Sequence, residues 1–234
     1  MNTLYQVSLL QALVNGYYDG IISVRDLKLL SDVAIGTFEG ADGEMIMVDK
    51  KVYKAKVDGN VVEAKDNELI PFCNAAKFHL NDNLVKSYKN IKEFRESMLE
   101  YVKSKYNNLF IVIRIDGLFK NMAVRSIPKQ EKPYKDLNYV CEHGQKVYNY
   151  ENIYGTIIGF LSPSYMKDLN TIDFHMHFIS SDKLYGGHVL DLSFDNLNIG
   201  ISVKNEFKLI LDNKQEFIEK DLSANIEKIK KVEE

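Results

Sequence analysis

Cysteine is scarce in this 234-residue chain: Cys73 and Cys141 are the two present, far apart and outside any Cys-x-x-Cys pair. That excludes a disulfide framework and a cysteine metal cluster, and leaves two reduced thiols. Positive charge is not in excess either. Thirty lysines and arginines face 33 acidic residues, a net charge of −3. Neutralising nucleic-acid phosphates or docking on an anionic membrane takes a basic face, so neither partner is expected. No basic residue precedes Arg25, so no export signal is read and the expected location is the cytoplasm. The uncharged run from Asn152 to Met166 is 15 residues long, broken by two glycines and Pro163. A membrane helix needs about 20 apolar residues, so this run does not span a bilayer. Arginine is rare as well, with only Arg25, Arg95, Arg114 and Arg125. Each offers a rigid fork for a carboxylate that a lysine cannot copy.

What is present is enough apolar surface to bury a core: 45% hydrophobic and 11% aromatic residues against 27% charged. Leu4, Val7, Leu10, Leu13 and Val14 recur at helical spacing and predict an N-terminal helix ended by Gly16. Ser23-Val24-Arg25-Asp26 has the form of a capping box and opens a second helix reaching about Ser31. Short strands are expected over 34–39, 44–48, 51–57 and 61–64, joined by glycine- and aspartate-rich turns into an antiparallel meander. Asn90 and Glu93 cap a helix over 91–105. Leu109 to Ile115 and Leu118 to Ile127 read as a hairpin turned by Asp116-Gly117.

Residues 128–133 resemble a linker. They divide the chain into 1–128, with the meander and an acidic glycine-rich turn, and 129–234, with a histidine cluster and a helical tail. The second part is expected to hold strands at 154–161, 171–179, 188–194, 199–203 and 206–211. A short helix starts at Ser162-Pro163, and a charged helix covers 213–234 with Phe217, Ile218, Leu222, Ile226 and Ile229 as its apolar face. The class is α+β: two subdomains built on mixed or antiparallel sheets with flanking helices.

Three of the five histidines fall within 14 residues, in His175-Met176-His177 and Gly186-Gly187-His188. Residues i and i+2 of a strand share a face about 6.6 Å apart. His175 and His177 can therefore aim at one point while Phe174, Met176 and Phe178 face an apolar side. The polar, glycine-rich 180–187 suits a hairpin connection that returns His188 beside them. Three neutral imidazoles with open positions left over form the ligand set of a catalytic zinc. Copper, nickel and iron accept the same ligand type. A cupin-like iron site would add a glutamate, and here only Asp182 lies close, in a turn. His79 and His143 are ungrouped.

Glu39, Asp42 and Glu44 crowd the turn Gly36-Thr37-Phe38-Glu39-Gly40-Ala41-Asp42-Gly43-Glu44. Glu44 opens an apolar strand, so partial burial and a raised proton affinity are expected of it. Arg114 and Arg125 fall on one face of the ribbon near its opposite ends, and spacing does not say which of them meets a substrate. The residues alone leave open a zinc enzyme, for instance a hydratase or hydrolase of a small carbonyl substrate, and a non-enzymatic zinc-stabilised metabolite-binding module. The last needs a closed four-ligand site, and no fourth ligand stands beside the histidines.

Together with the acidic turn and the histidine cluster, Tyr5-Gln6-Val7-Ser8, Gly16-Tyr17-Tyr18-Asp19-Gly20 and Arg125-Ser126-Ile127-Pro128 resemble the α-acetolactate decarboxylase family, in its order, from about residue 5 to the C-terminus. The resemblance implies decarboxylation of 2-acetolactate to acetoin and CO2 in the acetoin and butanediol branch of pyruvate metabolism. It implies a zinc-bound enediolate, no thiamine or pyridoxal cofactor, and a homodimer. By position, His175, His177 and His188 are similar to the zinc ligands, and Arg125, not Arg114, to the substrate-contacting arginine. Thr37 and Glu44 match site residues of the turn. Glu233 resembles a C-terminal glutamate that reaches back to the metal, with Glu234 adjoining it. Either Glu44 or Glu233 delivers the product's proton.

Overall fold

The structure, a computed structural model, describes residues 2–167 and 169–222. The chain opens with β1 (Thr3–Val7), α1 (Leu10–Val14), β2 (Ile22–Ser23) and α2 (Val24–Leu30). β3 (Val33–Thr37) leads through a 3-10 turn at Glu39–Ala41 into β4 (Glu44–Val48), β5 (Lys51–Ala55), β6 (Val61–Glu63), β7 (Leu69–Ile70) and β8 (Phe72–Ala76). β9 (Asp82–Tyr88), α3 (Ile91–Tyr106) and the long β10 (Phe110–Ser126) follow, then α4 (Leu137–Gly144) and β11 (Lys146–Leu161). A 3-10 turn at Ser164–Met166 precedes β12 (His175–Ser180), β13 (Gly186–Lys204), β14 (Glu206–Ile210) and α5 (Gln215–Glu219).

Seven strands form one mixed sheet in the order β14-β1-β8-β3-β4-β5-β6, where β14 runs parallel to β1 and the other pairs are antiparallel. Five form an antiparallel sheet in the order β10-β11-β12-β13-β9. β10 also pairs with β13, so four strands close on themselves. Both sheets take strands from either side of residue 128: β9 and β10 join β11–β13, and β14 joins β1. The class is α+β, as expected.

Alternation along the strands builds two cores. Ile111, Ile113, Ile115, Ile157, Phe174, Met176 and Phe178 pack inside the five-stranded sheet with Phe94, Met98 and Val102 of α3. Phe110, Val112, Ile158, Phe160 and Ile179 face the other way and pack against Leu4, Val33, Ile35, Ile46 and Tyr53 of the seven-stranded sheet. Each fully buried side chain of this size stabilises by about 1.5–3 kcal/mol. The face of β12 that carries Ile179 is thus turned toward the first sheet, and His175 and His177 share that face.

Several expectations are corrected. The N-terminal helix is a strand followed by one helical turn or so: Tyr5 and Val7 are held between β8 and β14, and Ser8, at φ 61°, separates strand from helix. Tertiary pairing overrides the helical spacing of Leu4 and Val7. The Asp116-Gly117 hairpin is a single strand. Gly117 is there because its backbone takes φ 154° beside a register shift, a conformation L side chains rarely adopt, and not because the chain turns. The expected strands 188–194 and 199–203 are likewise one strand, β13. β12 starts at His175 rather than at Thr171, and Ser162-Pro163 leads into a 3-10 turn instead of an α-helix. In the tail, α5 buries Phe217 against Tyr17 but leaves Ile218 exposed, and residues 223–234 lie outside the described residues. By contrast, the capping box of α2 forms with both bonds, and Asn90 caps α3 through the Glu93 amide.

Candidate metal centre

The ladder brings the three histidines together. His177 pairs with Ile158 on one side and His188 on the other, and His188 in turn pairs with Arg125 of β10. The connection is the expected hairpin, closed by the Ser180 amide donating to the Tyr185 carbonyl at 2.8 Å. Gly187 has to be glycine, because a Cβ there would sit 2.5 Å from the Arg125 carbonyl oxygen where β13 crosses close to β10. Each histidine offers one nitrogen, and the three atoms lie within 4.8 Å of one another.

All three rings are buried. Burial drives the His175 proton affinity down to a pKa of about 3, with the charges of Arg125 and Arg95 adding to it. The same desolvation holds His177 and His188 well below the ordinary imidazole value. The rings are therefore neutral lone-pair donors. His177 Nδ1 lies 2.9 Å from the Met45 carbonyl oxygen, which can only accept, so Nδ1 carries the proton and Nε2 presents its lone pair to the centre. His175 Nε2 is 3.1 Å from that Nε2, and His188 Nε2 is buried without a hydrogen-bond partner. Nitrogens bound about 2.0–2.1 Å from a tetrahedral ion lie about 3.3 Å apart, close to this spacing. A carboxylate oxygen of Glu44 lies 3.5 Å from the same His177 nitrogen. The three residues form a group able to hold a metal ion.

Around the group lies a cavity lined by Gly36, Thr37, Glu44, Phe72, Arg125, His175 and His188, with an apolar wall of Leu10, Leu13, Ile127 and Leu137 beside Cys141. Of the residues singled out in the sequence, the structure thus gathers Thr37, Glu44, Arg125, His175, His177 and His188. Glu233 lies outside the described residues. Glu44 is 7% exposed, so the expected burial is found. Its two acidic neighbours are used elsewhere: Asp42 pairs with Lys54 at 2.7 Å, and Glu39 accepts from the Gly20 amide. Thr37 Oγ1 donates to the Gly43 carbonyl at 2.7 Å and so closes the turn that carries Glu44.

The two arginines part company. Arg114 pairs with Asp49 and Asp116, each at 2.7 Å, away from the histidines. Arg125 is buried, and its Nη1 reaches Cys141 Sγ at 3.2 Å and Gln145 Oε1 at 3.1 Å. The two stand 11 residues apart on one continuous strand, roughly 35 Å at the usual rise. The Met45 carbonyl was not visible in the sequence, since a backbone acceptor leaves no residue signature. Cys141 was visible only as a thiol without a motif; α4 is what brings it to the cavity.

The sequence profile of the family described as alpha-acetolactate decarboxylase matches residues 4–224. An alpha-acetolactate decarboxylase of Brevibacillus brevis is 37% identical over 224 residues, covering 95% of this chain and 77% of that protein. One of Methanosarcina mazei is 35% identical over 234 residues, covering 99% and 80%. The crystal structure of alpha-acetolactate decarboxylase from Bacillus subtilis strain 168 superposes with a TM-score of 0.92 at 31% identity, covering 99% of both chains.

Proposed function

Because the chain belongs to the alpha-acetolactate decarboxylase family, we propose that it converts 2-acetolactate to acetoin and CO2 at this centre, with zinc on His175, His177 and His188. The observation that carries the reading is the convergence of three neutral imidazoles, one buried carboxylate and one buried guanidinium on a single cavity. When bound, zinc supplies a Lewis acid for the negative charge left on the β-ketone oxygen as CO2 departs, worth several kcal/mol.

The chain's own residues do the rest. The Met45 carbonyl holds His177 in one tautomer and keeps its Nε2 lone pair on the centre. Arg125 orients the substrate through its carboxylate, a paired contact that the flat guanidinium suits. Its Nη1 is steadied by Cys141 of α4 and by Gln145 just past the end of that helix. Glu44 stands beside the ligands and delivers a proton to one face of the enediolate, which sets the product's handedness. Glu233 is the other candidate for that proton. Thr37 spends its hydroxyl proton on Gly43, so toward a substrate hydroxyl it acts as acceptor. Leu10, Leu13 and Leu137 keep bulk water from the enediolate before Glu44 protonates it.

The test is to incubate purified protein with racemic 2-acetolactate and follow CO2 and acetoin, with and without a chelator. Acetoin formation that the chelator stops and zinc restores is the expected result. A carbonyl hydrated or hydrolysed without CO2 release returns the hydratase reading, and no turnover returns the binding module. A homodimer belongs to the same proposal: among the described residues β14 and β6 are the outer strands of the first sheet, and a second copy would cover such an edge. Sedimentation at the mass of one chain would refute it.

A further inference from the structure

The three histidines are not held equally. His177 is paired on both sides, with Ile158 and His188, and His188 is paired with both His177 and Arg125. His175 is the first residue of β12 and pairs on one side only, with Phe160. The residues before it, 169–174, belong to neither ladder, so something else has to fix the direction from which His175 enters the site.

Two groups do so from different parts of the fold. On the first sheet, Asn170 is locked into a buried amide triad: its Nδ2 donates to Gln6 Oε1 at 3.0 Å and to Asn74 Oδ1 at 2.9 Å. Its Oδ1 accepts from the Thr171 amide at 2.8 Å and from Asn74 Nδ2 at 3.4 Å. Gln6 completes the lock by donating to the Leu169 carbonyl at 3.0 Å. On the other side, Arg95 of α3 places Nη2 at 3.4 Å from the Phe174 carbonyl oxygen and Nη1 at 3.5 Å from Asp173 Oδ2. Asp173 Oδ1 accepts from the Phe174 amide at 2.7 Å, and the Phe174 ring meets Phe94 edge-on at 5.6 Å. The peptide group entering His175 is therefore held at its carbonyl by α3, while Asn170, at the start of the segment, is held by an amide triad rooted in β1 and β8.

We propose that Arg95 and Asn170 are positioning residues of the metal centre, which grip 170–174 and thereby set where His175 presents its ring nitrogen. This rests on the three-histidine reading of the centre and adds residues to it that touch neither metal nor substrate. It also gives Gln6 a role that its place in the sequence left unexplained. Groups that orient a ligand from behind typically change metal affinity about 10- to 100-fold when removed.

The experiment measures zinc affinity by chelator competition in Arg95→Met, Arg95→Lys and Asn170→Asp, each alone and combined with His175→Ala. The single variants Arg95→Met and Asn170→Asp are expected to bind zinc about 10- to 100-fold more weakly, with Arg95→Lys in between. In the His175→Ala background the same changes should cost about 2-fold or less, because the residue they act through is gone. Cobalt-loaded variants should show a shifted visible spectrum, and kcat should fall with KM little changed, since Arg125 is untouched. Asn170→Asp places a carboxylate against two amide oxygens; if it does not fold by circular dichroism, the Arg95 pair decides. Wild-type affinity in both Arg95 variants, or an equal loss with and without His175, overturns the proposal. Wild-type protein that takes up neither zinc nor cobalt overturns the reading of the centre itself, a result distinct from variants that match a metal-binding wild type.

Discussion

The five-stranded sheet delivers its share of the centre from three adjacent strands, whereas the seven-stranded sheet delivers Thr37 and Glu44 as one cross-strand pair at the ends of β3 and β4, where the acidic turn joins them. His177, His188 and Arg125 stand on adjacent strands whose backbone bonds fix their spacing. Glu44 pairs with Thr37 on one side and Ala55 on the other, and the loop between β3 and β4 is tied by Thr37 to Gly43 and by Lys54 to Asp42. That loop follows Gly36, where a Cβ would lie 2.2 Å from the Phe72 carbonyl oxygen. Both sides are thus set by strand pairing, and the side that carries Glu44 adds side-chain bonds and a close glycine contact.

The largest effect tests the ligand side. The double substitution His175→Ala, His177→Ala should remove bound zinc and turnover together while the barrel stays folded, read by elemental assay and circular dichroism. Stoichiometric zinc in that variant contradicts the assignment. Glu44→Gln tests the acidic side alone, since it keeps shape and removes the titrating proton. Turnover should fall about 10²- to 10⁴-fold with zinc retained, and near-normal turnover moves the role to Glu233.

Between the two lies Arg125, on the long strand but facing the cavity. Arg125→Lys should lower both kcat and substrate affinity, about 10- to 100-fold in kcat/KM, the size of a lost charge-assisted contact. Arg114→Lys should leave kinetics unchanged and cost under about 1 kcal/mol, because its partners Asp49 and Asp116 are exposed. A separate effect is on stability against pH. In metal-free protein the folded imidazoles titrate lower than unfolded ones, about 3 for His175 against about 6.5. Stability is therefore full above about pH 6.5 and falls as the pH drops toward 3, because the unfolded chain takes up protons that the folded centre refuses. Thermal melts at stepped pH should show this decline, and it should be shallower in the His175→Ala variant.

Much of the site was legible because its chemistry is local. His175-Met176-His177 and the glycine pair before His188 announce a strand, a turn and a return, and β4 begins at Glu44 as the change of period suggested. The capped helices α2 and α3 were legible for the same reason: Ser23 and Asn90 satisfy amides within three residues. What the sequence hid is non-local. Gly117 looks like turn chemistry but serves an irregularity of the strand at φ 154°, beside a register shift against β13, so β10 was broken in two. β8 and β9 were overlooked; β8 is flanked by β1 and β3, and nothing inside Phe72–Ala76 marks it. The anchoring of His177 by Met45 and of 170–174 by Arg95 and Asn170 joins residues that only the packed sheets bring near.

The account rests on a zinc ion held by three neutral imidazoles, and its most direct test is zinc content against turnover in purified protein. It predicts one zinc per chain, loss of acetoin formation when the ion is stripped, and recovery in proportion to zinc returned. Full acetoin formation by protein shown to be free of metal would contradict it.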